Sequence, residues 1–202
     1  MRVYDLLHTD DICAGLDVSG GLDVQGWWDY SEKFMQLAMG AQLIVEIGSW
    51  LGKSAIEFCK AAPQAEVVCI DTWLGAAEMW HNKLDPDRYL RLRKKHGYPQ
   101  LYYDFLRNIV LSGKQSQVTP MPLPSSIALK FLKDSGIYPD LIYIDGSHEE
   151  KDVIDDIQGS LQLKPKIICG DDYQGWPSVR RAVDHECKDV QLDGRFWWVV
   201  NS

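Results

Sequence analysis

The stretch of sequence that decides the fold is LIVEIGSWLGKSAIEFCKAA, residues 43–62. Its first five residues are mostly apolar and end at a glycine, which predicts a short buried strand. Residues 52–62 carry apolar side chains at helical spacing, and Pro63 ends the helix that they predict. The glycines between strand and helix permit a tight turn. A strand, a glycine-containing turn and a helix in this order are typical of an α/β protein.

The same alternation continues along the chain. Further apolar runs precede helical segments at EVVCID (66–71), DLIYID (140–145) and KIICGDD (166–172). Residues 190–200 have the pattern of a hairpin with Asp193-Gly194 at its turn. Continuous apolar runs are typical of a parallel sheet that is covered on both faces. The sequence therefore predicts a three-layer α/β sandwich, whose mostly parallel sheet has about seven strands with the last one antiparallel.

Length and composition fit one domain. The chain has 202 residues, of which 46% are hydrophobic and 25% are charged, and domains typically run about 100–200 residues. We predict a single domain over residues 1–202. Within it, residues 1–40 form an N-terminal helical cap with a helix over 27–39. Residues 72–110 interrupt the alternation and are predicted to be an insert or lid.

Charge and cysteine usage argue against several classes of partner. The formal net charge of −8 disfavours binding to nucleic acid and to anionic membranes, which need a basic face. The longest apolar runs have about five residues, far fewer than the ~20 of a membrane helix. The five cysteines are widely spaced and form no CxxC pair, which favours reduced thiols in the cytoplasm.

Carboxylates stand at or near the end of each strong predicted strand. They are Glu46, Asp71, Asp145 and the pair Asp171-Asp172. In open α/β sheets, ligands bind outside the carboxyl ends of the strands. Acids that merely end a strand in solvent would explain one or two of these positions. The whole set predicts a binding site at this edge of the sheet, because a buried carboxylate is costly without partners.

The first turn matches neither of two well-known phosphate-binding motifs. Its glycines, Gly48 and Gly52, do not follow the GxGxxG spacing of dinucleotide-binding proteins. The triplet Gly52-Lys53-Ser54 lacks the first glycine of a P-loop at the required distance. The acidic Glu46 before the turn would repel phosphate. The turn is therefore better suited to a ligand that carries positive charge.

At these residues the chain resembles the class I S-adenosylmethionine (SAM)-dependent methyltransferases, in particular a small bacterial and phage branch that includes sugar and macrolide O-methyltransferases. The resemblance covers residues 40–200 approximately and implies a Rossmann-like fold. It also implies SAM as the cofactor and a small hydroxylated acceptor, such as a sugar, polyol or phenol. The E-x-G-x-x-x-G turn would wrap the methionine part of SAM, and Asp71 would bind the ribose hydroxyls. The expected cofactor contacts are Glu46, Gly48, Ser49, Gly52, Ser54, Asp71, Thr72, Trp73, Ser125 and Asp145.

The acids after the later strands suggest catalytic groups. Asp145, Asp171 and Asp172 are expected to converge, and like charges that close together favour a bound cation. Oxygen ligands suit Mg²⁺ or another divalent cation, which would lower the pKa of an acceptor hydroxyl. His148 follows Asp145 by three residues and is the expected general base. Asp145 and His148 are therefore the predicted catalytic residues.

Two alternatives stay open at this point. In the first, the chain is a metal-independent methyltransferase that acts on another nucleophile, with His148 as its sole base. In the second, it is a non-catalytic Rossmann-like module that binds a nucleotide or cofactor. Such a module would have no need of the cluster of Asp145, Asp171 and Asp172.

The eight tryptophans fall into two groups. One group is expected to pack in the core or at an edge: Trp27, Trp28, Trp197 and Trp198. The other lies in loops at the ligand end and would stack on adenine, acceptor or sulfonium: Trp50, Trp73, Trp80 and Trp176. The basic stretch Arg88–His96 is interpreted as a solvated helix face, or as a lid that meets an acidic substrate. A homodimer through the last strand and the Trp27-Trp28 pair is an open arrangement.

Overall fold

A computed structural model describes residues 2–24, 32–80 and 92–201. The helices are α1 (Tyr4–Leu7), α2 (Glu32–Ala38), α3 (Lys53–Ala61), α4 (Leu101–Leu111), α5 (Ser125–Asp134), α6 (Glu150–Leu161) and α7 (Pro177–Glu186), with a 3₁₀ turn at Ala77–Trp80. The strands are β1 (Leu43–Ile47), β2 (Glu66–Ile70), β3 (Lys94–Lys95), β4 (Tyr98–Pro99), β5 (Val118–Met121), β6 (Leu141–Ile144), β7 (Ile167–Gly170), β8 (Gln191–Asp193) and β9 (Phe196–Val200).

Seven of these strands form one sheet in the order β5-β2-β1-β6-β7-β9-β8. Strand β1 lies parallel to β2 and β6, and β7 lies parallel to β6. Strand β9 runs antiparallel to both β7 and β8. The predicted fold class, a mostly parallel seven-stranded sheet with an antiparallel last strand, is confirmed. Because the register aligns Ile47, Ile70 and Ile144, the segments that follow these residues meet at one edge.

Helices cover both faces of the sheet. Alternate side chains of each strand face opposite sides, so Ile44 and Val45 of β1 enter different cores. One core contains residues of α2, α3 and α4, with Phe34, Phe58 and Phe105 at its centre. The other contains residues of α5, α6 and α7. This arrangement explains why the central strands are apolar on both faces.

The N-terminal segment lies along the outer strand β5 and only part of it is helical. The Glu66 carboxylate accepts the backbone N–H groups of Val3 and Tyr4, each at 2.9 Å. His8 Nε2 lies 3.0 Å from the Pro120 carbonyl oxygen in β5. The prediction of a helical cap over 1–40 therefore needs correction, because between α1 and residue 24 the backbone is irregular. Of the helix predicted over 27–39, the structure shows Glu32–Ala38, and residues 27–31 lie outside the described residues.

The predicted insert over 72–110 contains two different parts. Its end is α4, whose Phe105 and Ile109 are buried in the core, so this helix is a structural layer and not a lid. Before it, Lys94–Lys95 and Tyr98–Pro99 pair as a short antiparallel hairpin. The helix expected across the basic stretch is therefore wrong at Lys94 and Lys95, while Arg88 to Arg91 lie outside the described residues. Arg93 forms an ion pair with Asp104 of α4 at 2.7 Å.

The last strand is covered by its own chain. Trp197 and Trp198 are 1% and 7% exposed, which confirms their expected packing role. Strand β8, and not β9, forms the edge of the sheet. In the described part of the chain, every helix falls short of the length and apolar character that crossing a bilayer requires.

Candidate active site

The turn after β1 is shaped by contact with the next strand. Gly48 has a φ of 89° and donates its N–H to the Ile70 carbonyl at 2.8 Å. A Cβ atom at Gly48 would lie 2.1 Å from the Asp145 carbonyl oxygen. Only glycine fits here, because both the backbone angle and the space exclude a side chain. The first turn is thus packed directly against the residue that follows β6.

Asp71 ties the first turn to the end of β2. Its Oδ2 accepts the Trp50 N–H at 2.9 Å, and its Oδ1 accepts the Trp73 N–H at 2.6 Å. Burial raises the pKa of Asp71, and the backbone N–H groups offset part of that rise. Each oxygen keeps acceptor capacity beyond its backbone partner. The carboxylate therefore both holds the turn and can receive hydroxyl groups from a ligand.

Trp73 lies in the core and not at the ligand surface. Its side chain is 2% exposed, and its ring centroid lies 4.7 Å from that of Phe105. Its indole N–H donates to the Trp50 carbonyl at 2.7 Å. The expectation that Trp73 stacks on adenine is wrong for this arrangement, because neither ring face is open. Trp73 instead stabilises the first turn through its hydrogen bond to the Trp50 carbonyl.

Glu46 lies beneath the turn, with a side chain that is fully buried. Cys69 Sγ lies 3.6 Å from its Oε2. Its Oε1 and the Ser49 hydroxyl have no hydrogen-bond partner among the described residues. Burial raises the pKa of Glu46 to about 7. An unpartnered carboxyl oxygen directly under the turn is suited to a cationic or hydrogen-bond-donating ligand group.

Replacing Glu46 with glutamine is expected to make the unliganded protein more stable at pH 8. The folded-state pKa is raised, so the stability that Glu46 contributes is present below its unfolded pKa and is lost as pH rises through about 7. Removing the buried charge should raise the free energy of unfolding by roughly 1–3 kcal/mol at pH 8 and little at pH 5. Urea unfolding at both pH values measures this difference. An equal change at the two pH values would contradict it.

Thr72 and Ser125 differ in what their side chains can still offer. Thr72 is exposed, and its hydroxyl accepts the Leu74 N–H at 3.3 Å. Burial raises the pKa of Asp156 in α6 to about 6, and the nearby Ser125 hydroxyl offsets part of this rise. Ser125 therefore lies close to α6, and its predicted role as a cofactor contact stays a prediction.

A cluster of charged groups follows β6 and β7. Ligand atoms of Asp145, His148 and Asp172 lie within 4.8 Å of one another, and all three residues line one cleft. His148 Nε2 pairs with Asp172 Oδ2 at 2.7 Å. The Tyr143 hydroxyl donates to Asp145 Oδ2 at 3.1 Å. The structure thus brings both predicted catalytic residues, Asp145 and His148, to the edge that also carries the first turn.

The pKa values of both predicted catalytic groups are raised, but for different reasons. Burial, followed by the charges of Asp171 and Asp172, raises the pKa of Asp145 to about 7. The hydrogen bond to Asp172 raises the pKa of His148, although burial works in the opposite direction. The cluster therefore favours a protonated imidazole and a carboxyl group that changes charge near neutral pH.

Trp176 holds the His148 ring from one side. The two rings are stacked with centroids 4.4 Å apart and an angle of 5° between their planes. The Ser178 hydroxyl donates to the His148 carbonyl at 2.6 Å. Trp176 remains 43% exposed, and its expected contact with a ligand stays a prediction. Trp80 is 40% exposed and lies under the Lys94 ammonium at 4.3 Å.

Reasoning from the sequence missed Arg195, which forms ion pairs with two acids of the cluster. Its Nε and Nη2 donate to the two oxygens of Asp171 at 3.0 and 2.5 Å. The same Nη2 lies 2.9 Å from Asp172 Oδ1. The signal available in the sequence was the Asp193-Gly194 turn, because an antiparallel return strand places the following residue beside the end of β7. The topology is needed to use that signal.

The predicted metal set of Asp145, Asp171 and Asp172 does not form in this arrangement. Asp171 faces Arg195, and His148 takes its place near the other two carboxylates. The donor types suit a divalent cation. However, Asp172 uses one oxygen for His148 and the other for Arg195. A metal ion there would therefore have to displace His148 or Arg195 from Asp172, although the ligand atoms of Asp145, His148 and Asp172 lie close enough together to surround one.

The order of the sheet, the glycine turn after β1 and the acid after β2 together define a class I SAM-dependent methyltransferase fold. Residues 45–173 match a family model described as a methyltransferase domain. The chain belongs to this methyltransferase family and is a SAM-dependent methyltransferase. Comparison with curated protein sequences finds no match.

Solved structures of similar fold include O-methyltransferases. An O-methyltransferase from Bacillus cereus in complex with SAH is 17% identical with a TM-score of 0.55, covering 86% of this chain and 83% of that one. The O-methyltransferase TomG from Streptomyces achromogenes, in complex with SAM, is 16% identical with a TM-score of 0.58, and the coverage is 87% and 82%. Cofactor-bound Rv0187 from MTB is 19% identical with a TM-score of 0.59, covering 85% and 81%. At these identities the likeness concerns the fold.

Proposed function

We propose that the protein transfers a methyl group from SAM to a hydroxyl group of a small acceptor, such as a sugar, polyol or phenol. The observation that carries this proposal is the contact between the first turn and the acidic cluster. A Cβ atom added at Gly48 would lie 2.1 Å from the Asp145 carbonyl oxygen, so the two backbones are in direct contact. A cofactor held by the turn therefore has its reactive end beside Asp145 and His148.

The cofactor contacts would divide between two strand ends. The turn of Gly48, Ser49 and Gly52, with Glu46 and Ser54 beneath it, would hold the methionine part of SAM. Asp71 would accept the ribose hydroxyls with the acceptor capacity that its backbone partners leave free. Thr72 follows Asp71 and is exposed, so it would be available for further contacts. The acidic surroundings suit the positive sulfonium.

The reaction needs one bond made and one bond broken. The acceptor oxygen would attack the methyl carbon in line with the sulfur, so that an O–C bond forms while the C–S bond breaks and S-adenosylhomocysteine leaves. The hydroxyl proton would pass to the Asp145 carboxylate, because the cluster favours a His148 imidazole that already carries its proton. Positioning the two reactants accounts for most of the rate enhancement in this scheme. Asp172 and Trp176 would keep the His148 ring oriented.

Titration calorimetry with SAM tests the proposal first. We expect saturable binding by the wild type and by an Asp155→Asn control. In the wild type, Asp155 pairs with Lys151 on the exposed face of α6. Release of S-adenosylhomocysteine is then measured over a panel of sugars, polyols and phenols, with and without Mg²⁺. Absence of SAM binding at millimolar concentration would refute the proposal. Binding without turnover on any acceptor would favour the alternative of a non-catalytic binding module.

The cellular context belongs to the same proposal. A small-molecule acceptor suits the acidic edge better than nucleic acid does, because phosphates would be repelled there. All five cysteines are free thiols, as a reducing cytoplasm would keep them. A homodimer would leave this edge accessible if it used the β8 edge of the sheet.

A further inference from the structure

The β8–β9 turn brings a cation to the acidic cluster from another part of the sheet. Strand β9 lies antiparallel to β7 with Trp197 opposite Gly170. Arg195 comes just before β9, so it lies beside Asp171, which directly follows β7. The Arg195 side chain is 43% exposed, whereas the side chains of Asp171 and Asp172 are only 14% and 12% exposed. The cation therefore covers the two carboxylates from the solvent side.

The contacts of Arg195 have the geometry of a built ion pair. Two of its nitrogens bind the two oxygens of Asp171, which is the bidentate arrangement that a guanidinium favours. The pair with Asp172 at 2.9 Å leaves the other Asp172 oxygen for His148. Arg195 thus bridges both acids and fixes which oxygen of Asp172 faces the imidazole.

We propose that Arg195 is the resident cation of this cluster, a positioning residue that holds Asp171 and Asp172 and opposes the binding of divalent metal ions. Three carboxylates meet here, and Arg195 and His148 pair with two of them. A metal ion bound by Asp145, His148 and Asp172 would have to break the His148–Asp172 contact and approach the guanidinium. The arginine thereby takes the neutralising role that a divalent ion would otherwise have.

Arg195 would set the charge at the end of the site where the acceptor binds, and this assignment of the acceptor end rests on the proposed function. The direction in which metal affinity changes when Arg195 is removed distinguishes two roles for this residue. Loss of a merely structural contact would weaken metal binding or leave it unchanged. Loss of a resident cation would strengthen metal binding, because two carboxylates lose their partner and a repelling charge is removed.

Manganese binding tests this inference, with Mn²⁺ alone as the probe and calorimetry or electron paramagnetic resonance as the readout. For the wild type we expect a Kd weaker than about 0.1 mM. Arg195→Gln should tighten Mn²⁺ binding about tenfold or more. Arg195→Lys keeps the positive charge but not the bidentate contact, so it should tighten Mn²⁺ binding clearly less than Arg195→Gln does. The matched control is Arg181→Gln, which removes an exposed arginine that pairs with Glu150 and should change nothing.

Several outcomes would overturn the inference. They are an unchanged or weaker Mn²⁺ affinity in Arg195→Gln, the same tightening in Arg195→Lys, or micromolar Mn²⁺ binding by the wild type. The wild-type titration decides even if Arg195→Gln fails to fold. SAM titration of the same samples separates this inference from the proposed function. Tightened Mn²⁺ binding without any SAM binding would support the first and refute the second.

Discussion

Replacing Gly48 with alanine is expected to disrupt the first turn and abolish SAM binding. The new Cβ would lie 2.1 Å from the Asp145 carbonyl oxygen and 2.6 Å from the Gly146 Cα. Both atoms belong to backbone that the pairing of β1 with β6 holds in place, so neither moves cheaply. Overpacking and a positive φ together should lower the free energy of unfolding by about 3–5 kcal/mol. Urea unfolding and SAM calorimetry measure the two effects.

Gly40 provides a matched control for this substitution. Its φ of 82° is close to the 89° of Gly48, but a Cβ at Gly40 would meet no atom within 4 Å. Gly40→Ala should therefore cost only the backbone term, about 1–2 kcal/mol, and should leave SAM affinity intact. If the two variants lost equal stability, the contact with Asp145 would have no energetic weight and the explanation would fail.

Replacing Asp71 with asparagine is expected to weaken SAM binding about 100-fold or more, which corresponds to about 2.7 kcal/mol. Each carboxylate oxygen accepts one backbone N–H, from Trp50 and from Trp73. An asparagine keeps one acceptor and directs its NH₂ group at the other N–H, so one backbone donor loses its partner. The turn should loosen, and the ribose hydroxyls should lose an anionic acceptor. SAM calorimetry measures the affinity.

The stability of the same variant separates the two roles of Asp71. The lost backbone contact should lower the free energy of unfolding by about 1–3 kcal/mol in the absence of SAM. Asp155→Asn, on the exposed face of α6, should change neither stability nor affinity. Wild-type SAM affinity in Asp71→Asn would refute the ribose assignment. Wild-type stability in that variant would show that the turn does not depend on the two backbone bonds.

Much of the fold could be predicted because its signals are local. The run LIVEI, the glycine that follows it and the helical spacing after Gly52 each act over a few residues. The continuously apolar strands indicated a parallel sheet covered on both faces, and the Asp193-Gly194 turn indicated an antiparallel end. The carboxylates after the strands could be assigned to one edge for the same reason, since parallel strands end together.

Burial and side-chain direction could not be predicted in the same way. Trp73 and Trp176 both lie in loops at the ligand edge, yet one is 2% exposed and the other 43%. The difference arises because α4 brings Phe105 and Tyr102 against Trp73, which no local pattern in residues 72–80 indicates.

The sequence by itself determined the alternation of strands and helices, the glycine turn and the position of five acids at one edge of the sheet. Only the tertiary structure decided how those acids are neutralised. Asp171 and Asp172 pair with Arg195, which is 23 or 24 residues away along the chain and arrives through the return of β9 beside β7. Charge pairing depends on distances of a few ångströms between side chains, and sequence separation does not encode those distances until the strand order is known.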